Sequence, residues 1–148
     1  MEAIIFIGIQ GSGKSTYYKQ NYFNSHLRIS LDLLNTRNKE TKLLDFCLEF
    51  QQRLVIDNTN STKEQRIKYI QKLKERKFKV IAIYFEIGLQ MALDRNELRK
   101  GKAKVPKVGI LSTYKKMELP CFDEGFDEIY TINTEKENSQ PIQIKNEI

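Results

Sequence analysis

The chain has 148 residues, of which 40% are hydrophobic and 30% charged, with a net charge of +6. That length suits one domain with a single sizeable core, and the lack of any long apolar run argues against a membrane span. Glu2 and the short apolar stretch after it predict no signal peptide, and two cysteines without metal-site spacing, Cys47 and Cys121, predict reduced thiols in a cytoplasmic protein. The first element is an apolar run at residues 3–8, read as a buried strand. It leads straight into Gly8-Ile9-Gln10-Gly11-Ser12-Gly13-Lys14-Ser15, followed by a helical segment at 14–20. A Gly-x-x-x-x-Gly-Lys-Ser loop is informative when a strand precedes it and a helix follows, and both flanks are present. Its glycines let the chain wrap a phosphate with N–H groups pointing inward, and the helix offers its positive end. Gly8, Gln10, Gly11, Ser12, Gly13, Lys14, Ser15 and Thr16 are therefore the expected ATP contacts. Lys14 reaches the β- and γ-phosphates, and Ser15 is the expected Mg²⁺ ligand.

Residues 27–31 read as the second strand and end in Ser30-Leu31-Asp32. A carboxylate at a strand end facing the γ-phosphate can accept the proton of an acceptor hydroxyl; Asp is also a good helix N-cap. A helix follows at 41–52, where Cys47 among Leu44, Leu48 and Phe50 reads as a small buried hydrophobe. The third strand, 54–57, ends in Asp57-Asn58-Thr59-Asn60. Asp57 suits a place near Mg²⁺ and its waters, with Asn60 and Arg37 as further acceptor or metal-water candidates. Ser61 and Thr62 fit the start of a helix at 62–76, with Ile67, Ile70 and Leu73 expected toward the core.

The fourth strand is expected at 80–85 and the fifth at 128–132. Between them, residues 88–118 are helical with a break at 101–106. Arg95 and Arg99 lie four apart on one helix face. They suit a lid that closes over transferring phosphates, with Gly101 as its hinge; the same spacing also suits surface pairs with Asp94 and Glu97. His26 is the lone histidine and reads as a satisfied side chain. Strand–helix alternation predicts a P-loop three-layer α/β/α sandwich: a central five-stranded parallel sheet, a helical lid at about 88–106, and one domain over 1–134. Residues 135–148 are read as a polar tail. Ligands of such sheets bind at the carboxyl ends of the strands, where Gly8–Ser15, Asp32 and Asp57 all fall.

Together these segments resemble the kinase module of 5′-hydroxyl polynucleotide kinases, within the wider P-loop kinase group. The resemblance is carried by residues 8–16, Ser30-Leu31-Asp32, Val55-Ile56-Asp57-Asn58-Thr59-Asn60, Arg66 with Tyr69, Arg95-Asn96 with Arg99, and Val105-Pro106. It continues through Tyr114-Lys115-Lys116-Met117-Glu118-Leu119-Pro120 and Glu124-Gly125-Phe126. It implies transfer of the ATP γ-phosphate to a 5′-hydroxyl end of DNA or RNA. Asp32 falls at the general-base position, Lys14 at the phosphate clamp, Ser15 at the Mg²⁺ position, and Arg95 and Arg99 at the lid. Arg66 is similar to the family arginine on the helix after Asp-Asn-Thr-Asn, which implies structural anchoring at least as much as catalysis. Phage-type enzymes carry an arginine three residues after the base. Here that position is Asn35, with Arg37 two further on, and animal-type kinases lack the arginine too.

The chain has no phosphatase or ligase module, so it is expected to act alone or with a separate end-processing or ligase partner. Positive residues crowd 63–79 and 99–116, whereas the stretch after Pro120 is acidic; the sequence pI of about 9.2 leans toward a polyanionic partner. Two other readings keep the loop but change the outcome. One is a kinase for a small hydroxyl acceptor such as a nucleoside. The other is an ATP-binding switch or adaptor without phosphotransfer, for which a base would have no use.

Overall fold

The computed structural model describes residues 1–146. Its centre is β1 (Glu2–Ile7), flanked in parallel by β3 (Leu54–Asp57) and β4 (Lys79–Glu86). β2 (Leu27–Ile29) pairs in parallel outside β3, and β5 (Glu128–Asn133) outside β4. All five expected strands form, and they form one parallel block. A sixth strand corrects the sequence-based expectation. β6 (Ile142–Ile144), drawn from the segment read as a polar tail, pairs antiparallel with β5. The sheet is thus mixed, with order β2-β3-β1-β4-β5-β6. All three residues of β6 are exposed, so it has no buried face to leave an alternating apolar signature.

The helices α1 (Lys14–Asn21), α2 (Leu31–Leu34), α3 (Arg37–Phe50), α4 (Lys63–Glu75), α5 (Leu89–Glu97) and α6 (Lys107–Lys116) fill the connections. One sheet face carries Ile5, Ile7, Ile29, Leu54 and Ile56 against Leu44, Cys47 and Leu48 of α3 and Tyr69, Ile70 and Leu73 of α4. The other face, with Ile4, Phe6, Val55 and Ile83, packs against Tyr18 of α1. Strands buried on both faces read as nearly continuous apolar runs, which is why β1 and β4 were legible. A smaller cluster, Ile9, Ile87, Ala92 and Ile110, seats α5 and α6 beside the end of β1. Among the described residues no helix is long and apolar enough to cross a membrane.

Helix α4 is rotated from the expected phase: Ile67 is half exposed, and Arg66 points inward in its place with no solvent exposure. The reason is a complete set of partners. The Arg66 guanidinium donates to both Glu124 carboxylate oxygens at 2.8 and 3.0 Å, and to the carbonyls of Asn60 and Glu118 at 2.9 Å each. A buried guanidinium is tolerated only when it is paired and bonded in this way. Thr62 caps the helix by accepting from the Gln65 amide at 3.2 Å, as its capping pattern predicts. His26 is satisfied as expected, bonded to Ser25 at 2.6 Å and Glu2 at 2.9 Å.

Removing one partner of a buried ion pair strands the other charge. Arg66→Met should therefore lower unfolding stability by roughly 3–5 kcal/mol in urea denaturation, and a second change of Glu124→Gln should recover part of that loss. An unchanged midpoint for Arg66→Met would mean that the pair contributes nothing.

Candidate active site

The loop between β1 and α1 is shaped by two left-handed glycines, Gly11 at φ 82° and Gly13 at φ 93°. At Gly11 a Cβ would stand 2.7 Å from the Ala92 carbonyl oxygen, so α5 packs against bare backbone. Lys14 folds over this loop and donates to the carbonyls of Gly8 and Ile9 at 2.9 Å each. Desolvation pushes its pKa down to about 8, assisted by the nearby Arg99 and opposed by Asp57 and Asp32. Both carboxylates and Arg99 are thus within electrostatic reach of the expected phosphate clamp.

Ser15 and Asp57 meet at the start of α1. The Ser15 hydroxyl donates to Asp57 Oδ2 at 3.2 Å. Asp57 lies at the end of β3 opposite Phe6, and alternation along the strand turns it toward α1. A hydroxyl and a carboxylate converging beside a phosphate loop fit Mg²⁺, which takes oxygen ligands from one or two side chains and the rest from phosphates and water. Arg28 shares this corner. Its Nε donates to Asp57 Oδ2 at 2.8 Å and its Nη2 to Ser15 Oγ at 3.0 Å.

A cavity of about 230 Å³ opens in front of the loop, and Lys14, Ser15, Asp32, Arg37, Asp57 and Arg99 all line it. Asp32 stands exposed in the first turn of α2. Ser30 holds the N-cap position, so the capping alternative for Asp32 does not hold. Among the described residues its carboxylate accepts no hydrogen bond. The backbone beneath it is fixed, because the Leu31 amide donates to Asn58 Oδ1 at 2.9 Å. Asn58 in turn donates to Glu40 at 3.0 Å, and buried Glu40 also accepts from Tyr69 at 2.7 Å and Arg37 at 3.0 Å. One buried carboxylate thereby holds both the Asp32 loop and Arg37. Lys102 reaches across from the far rim to the Asp32 carbonyl, at 2.9 Å, and to the Asn35 side chain.

Arg99, beyond the end of α5, lines the cavity with Asp32, whereas Arg95 donates to the Gly11 carbonyl at 3.3 Å and to Thr134. Both arginines border a second cavity of about 650 Å³, walled by Thr16 and Tyr17 of α1 and by residues 136–140. Asn60 also lines the cavity, but its amide nitrogen is engaged by backbone: it donates to the Phe6 carbonyl at 2.7 Å from a left-handed φ of 46°. The segment between α5 and α6 is closed at its base by Asn96, which donates to the Val105 carbonyl at 2.7 Å and accepts from the Val105 amide at 3.0 Å.

A family profile described as an AAA domain matches residues 4–120. The chain belongs to this P-loop family. The bifunctional polynucleotide phosphatase/kinase of Schizosaccharomyces pombe is 27% identical over 132 residues, 86% of this chain and 32% of that protein. A putative bifunctional polynucleotide phosphatase/kinase of Acanthamoeba polyphaga mimivirus is 34% identical over 139 residues, 88% of this chain and 33% of that protein. The chain thus spans about a third of the length of these curated relatives. Among solved structures, Kti12 of Chaetomium thermophilum in complex with ADP-AlF3 superposes at a TM-score of 0.73 with 15% identity, covering 92% of this chain and 91% of that one. An unliganded sugar kinase from Janibacter sp. HTCC2649 gives 0.61 and 14%, covering 92% and 87%. The fold is that of the P-loop kinases.

Sequence reasoning missed Arg28, Glu40 and Thr134, and placed Lys102 only within a basic stretch. Arg28 left a usable trace: a lone charge between Leu27 and Ile29 must point to the opposite sheet layer, which is that of the loop and α1. The others act across long sequence separations and left none.

Phosphate placed beside Lys14 would raise its pKa again, so nucleotide binding should take up a proton above about pH 8. Calorimetric titration with ATP in buffers of different ionisation heat should show that uptake, with affinity declining as pH rises past about 8. Lys14→Arg should remove the slope, since a guanidinium does not titrate in this range. A flat profile for the unmodified protein would place Lys14 away from the phosphates.

Proposed function

We propose that this chain is an ATP-dependent kinase that transfers the γ-phosphate to a 5′-hydroxyl end of DNA or RNA. The observation that carries the reading is the free Asp32 carboxylate, held on the rim of the cavity that also contains Lys14, Ser15, Asp57 and Arg99. A module that only bound nucleotide would have no use for an unengaged base at that place. The sequence likeness to two polynucleotide phosphatase/kinases supports the choice of acceptor. So does the cationic rim of Arg37 and Lys102, suited to an anionic strand. The lysines of the 63–79 cluster do not line the cavity, and Lys68 and Lys74 are exposed on α4.

In this mechanism Lys14 leaves the loop carbonyls and binds the β- and γ-phosphates. Asp32 accepts the proton of the acceptor hydroxyl as its oxygen bonds to the γ-phosphorus and the bond to ADP breaks. Arg99 supplies a planar two-pronged donor to the transferring group. Ser15 and Asp57 would hold Mg²⁺, which neutralises phosphate charge when bound. Arg95, bonded to the Gly11 carbonyl beside the second cavity, fits a role in seating the nucleotide.

The test is transfer of labelled γ-phosphate to 5′-hydroxyl DNA and RNA oligonucleotides beside a nucleoside mixture. Label is expected on the oligonucleotides. Label confined to nucleosides would reassign the acceptor, and ATP binding with no label anywhere would remove the kinase. Asp32→Asn should keep ATP affinity while turnover falls by about 10²–10⁴-fold. Arg99→Lys should lose at least tenfold, because an ammonium cannot reproduce the fork; near-normal rates would return Arg99 to a surface role.

A further inference from the structure

Arg28 occupies the position that a divalent cation would need. Its guanidinium bonds Asp57 Oδ2 and Ser15 Oγ, at 2.8 and 3.0 Å, and those two oxygens lie 3.2 Å from each other. The Asp57 side chain is 2% exposed and that of Arg28 25%, so a buried carboxylate is neutralised by a partly accessible cation. Arg28 comes from β2, a three-residue strand at the edge of the sheet. Its guanidinium carbon lies 6.0 Å from the Tyr18 ring centroid. No other basic side chain among the described residues forms an ion pair with Asp57.

We propose that Arg28 is a resident cation that competes with the divalent metal for Ser15 and Asp57, so that the metal arrives only together with a nucleotide. Mg²⁺ binds its oxygens at about 2.0–2.1 Å, which leaves no room for a guanidinium on the same Asp57 oxygen. The two cations would also repel each other strongly in so small a space. Free Mg²⁺ sheds water reluctantly and brings no anion with it. Displacing Arg28 by bare metal therefore leaves a guanidinium without a counter-ion. A metal–nucleotide complex brings phosphates into the same cavity, so Arg28 can exchange a carboxylate for a phosphate without losing its charge-assisted bonds. The arginine thereby keeps the metal corner closed and pre-shaped until substrate arrives. The consequence for catalysis rests on the kinase reading, whereas the contest for the two oxygens does not.

Mn²⁺ binding to the nucleotide-free protein, followed by electron paramagnetic resonance, tests the contest directly. Arg28→Gln should bind Mn²⁺ at least tenfold more tightly than the unmodified protein, and Asp57→Asn added to it should abolish the gain. Arg28→Lys, which keeps a charge but loses the two-pronged geometry, should fall between them. A non-hydrolysable ATP analogue should tighten Mn²⁺ binding far more in the unmodified protein than in Arg28→Gln. Equal Mn²⁺ affinity in the unmodified protein and Arg28→Gln would overturn the proposal. Should circular dichroism find Arg28→Gln unfolded, Arg28→Lys decides: several-fold tighter binding supports the contest, and unchanged binding refutes it. Failure of label transfer in the kinase assay would remove the catalytic consequence and leave the Mn²⁺ result standing.

Discussion

The parallel pairing of β1 with β3 and β4 governs everything at the site. Parallel strands deliver all their carboxyl ends to one edge of the sheet, and here that edge receives the Gly8–Ser15 loop from β1 and Asp57 from β3. β2, paired outside β3, adds Ser30 and Asp32 at the same edge. Registry makes this quantitative: Phe6 stands opposite Asp57, and the Gly8 amide donates to the Thr59 carbonyl at 3.0 Å. A slip of one residue would turn Asp57 toward the α3–α4 layer and take its carboxylate away from Ser15.

Charge in the cavity is arranged as a set of opposing demands. Lys14, Arg28, Arg37, Arg99 and Lys102 surround a small volume that also holds Asp32 and Asp57. The depressed pKa of Lys14 is the local cost of crowding a cation into a desolvated loop. Each arginine is treated differently. Arg37 is tethered to Glu40 and Tyr69, Arg28 to Asp57, and Arg99 only to the Ala103 carbonyl at 3.4 Å. Of these three, Arg99 is the one most easily redirected to a new anion.

Much of the fold was legible because its signals are local. The loop spacing, the buried apolar runs of β1 and β4 and the Thr62 cap each sit within a dozen residues. In α4 the expected burial of Ile70 and Leu73 held, but Ile67 was displaced by Arg66, whose anchoring the resemblance implied and whose partner, Glu124, lies 58 residues away. The strand position of Arg28 pointed to its layer, but its partner Asp57, 29 residues distant, was not legible for the same reason. The i, i+4 spacing of Arg95 and Arg99 predicted one helix face, but α5 ends at Glu97 and leaves Arg99 in the segment that follows.

The reciprocal bond between Asn96 and Val105 constrains the segment between α5 and α6. It staples the two ends of an eight-residue flap, 97–104, that carries both Arg99 and Lys102. Closure of that loop is already achieved in the folded state, so bringing the flap onto a substrate fixes only its own torsions and draws no further chain into the cost. The staple also ties the two cations together: Lys102, bonded to the Asp32 carbonyl, and Arg99, on the wall of the same cavity, sit on one short closed ring of chain.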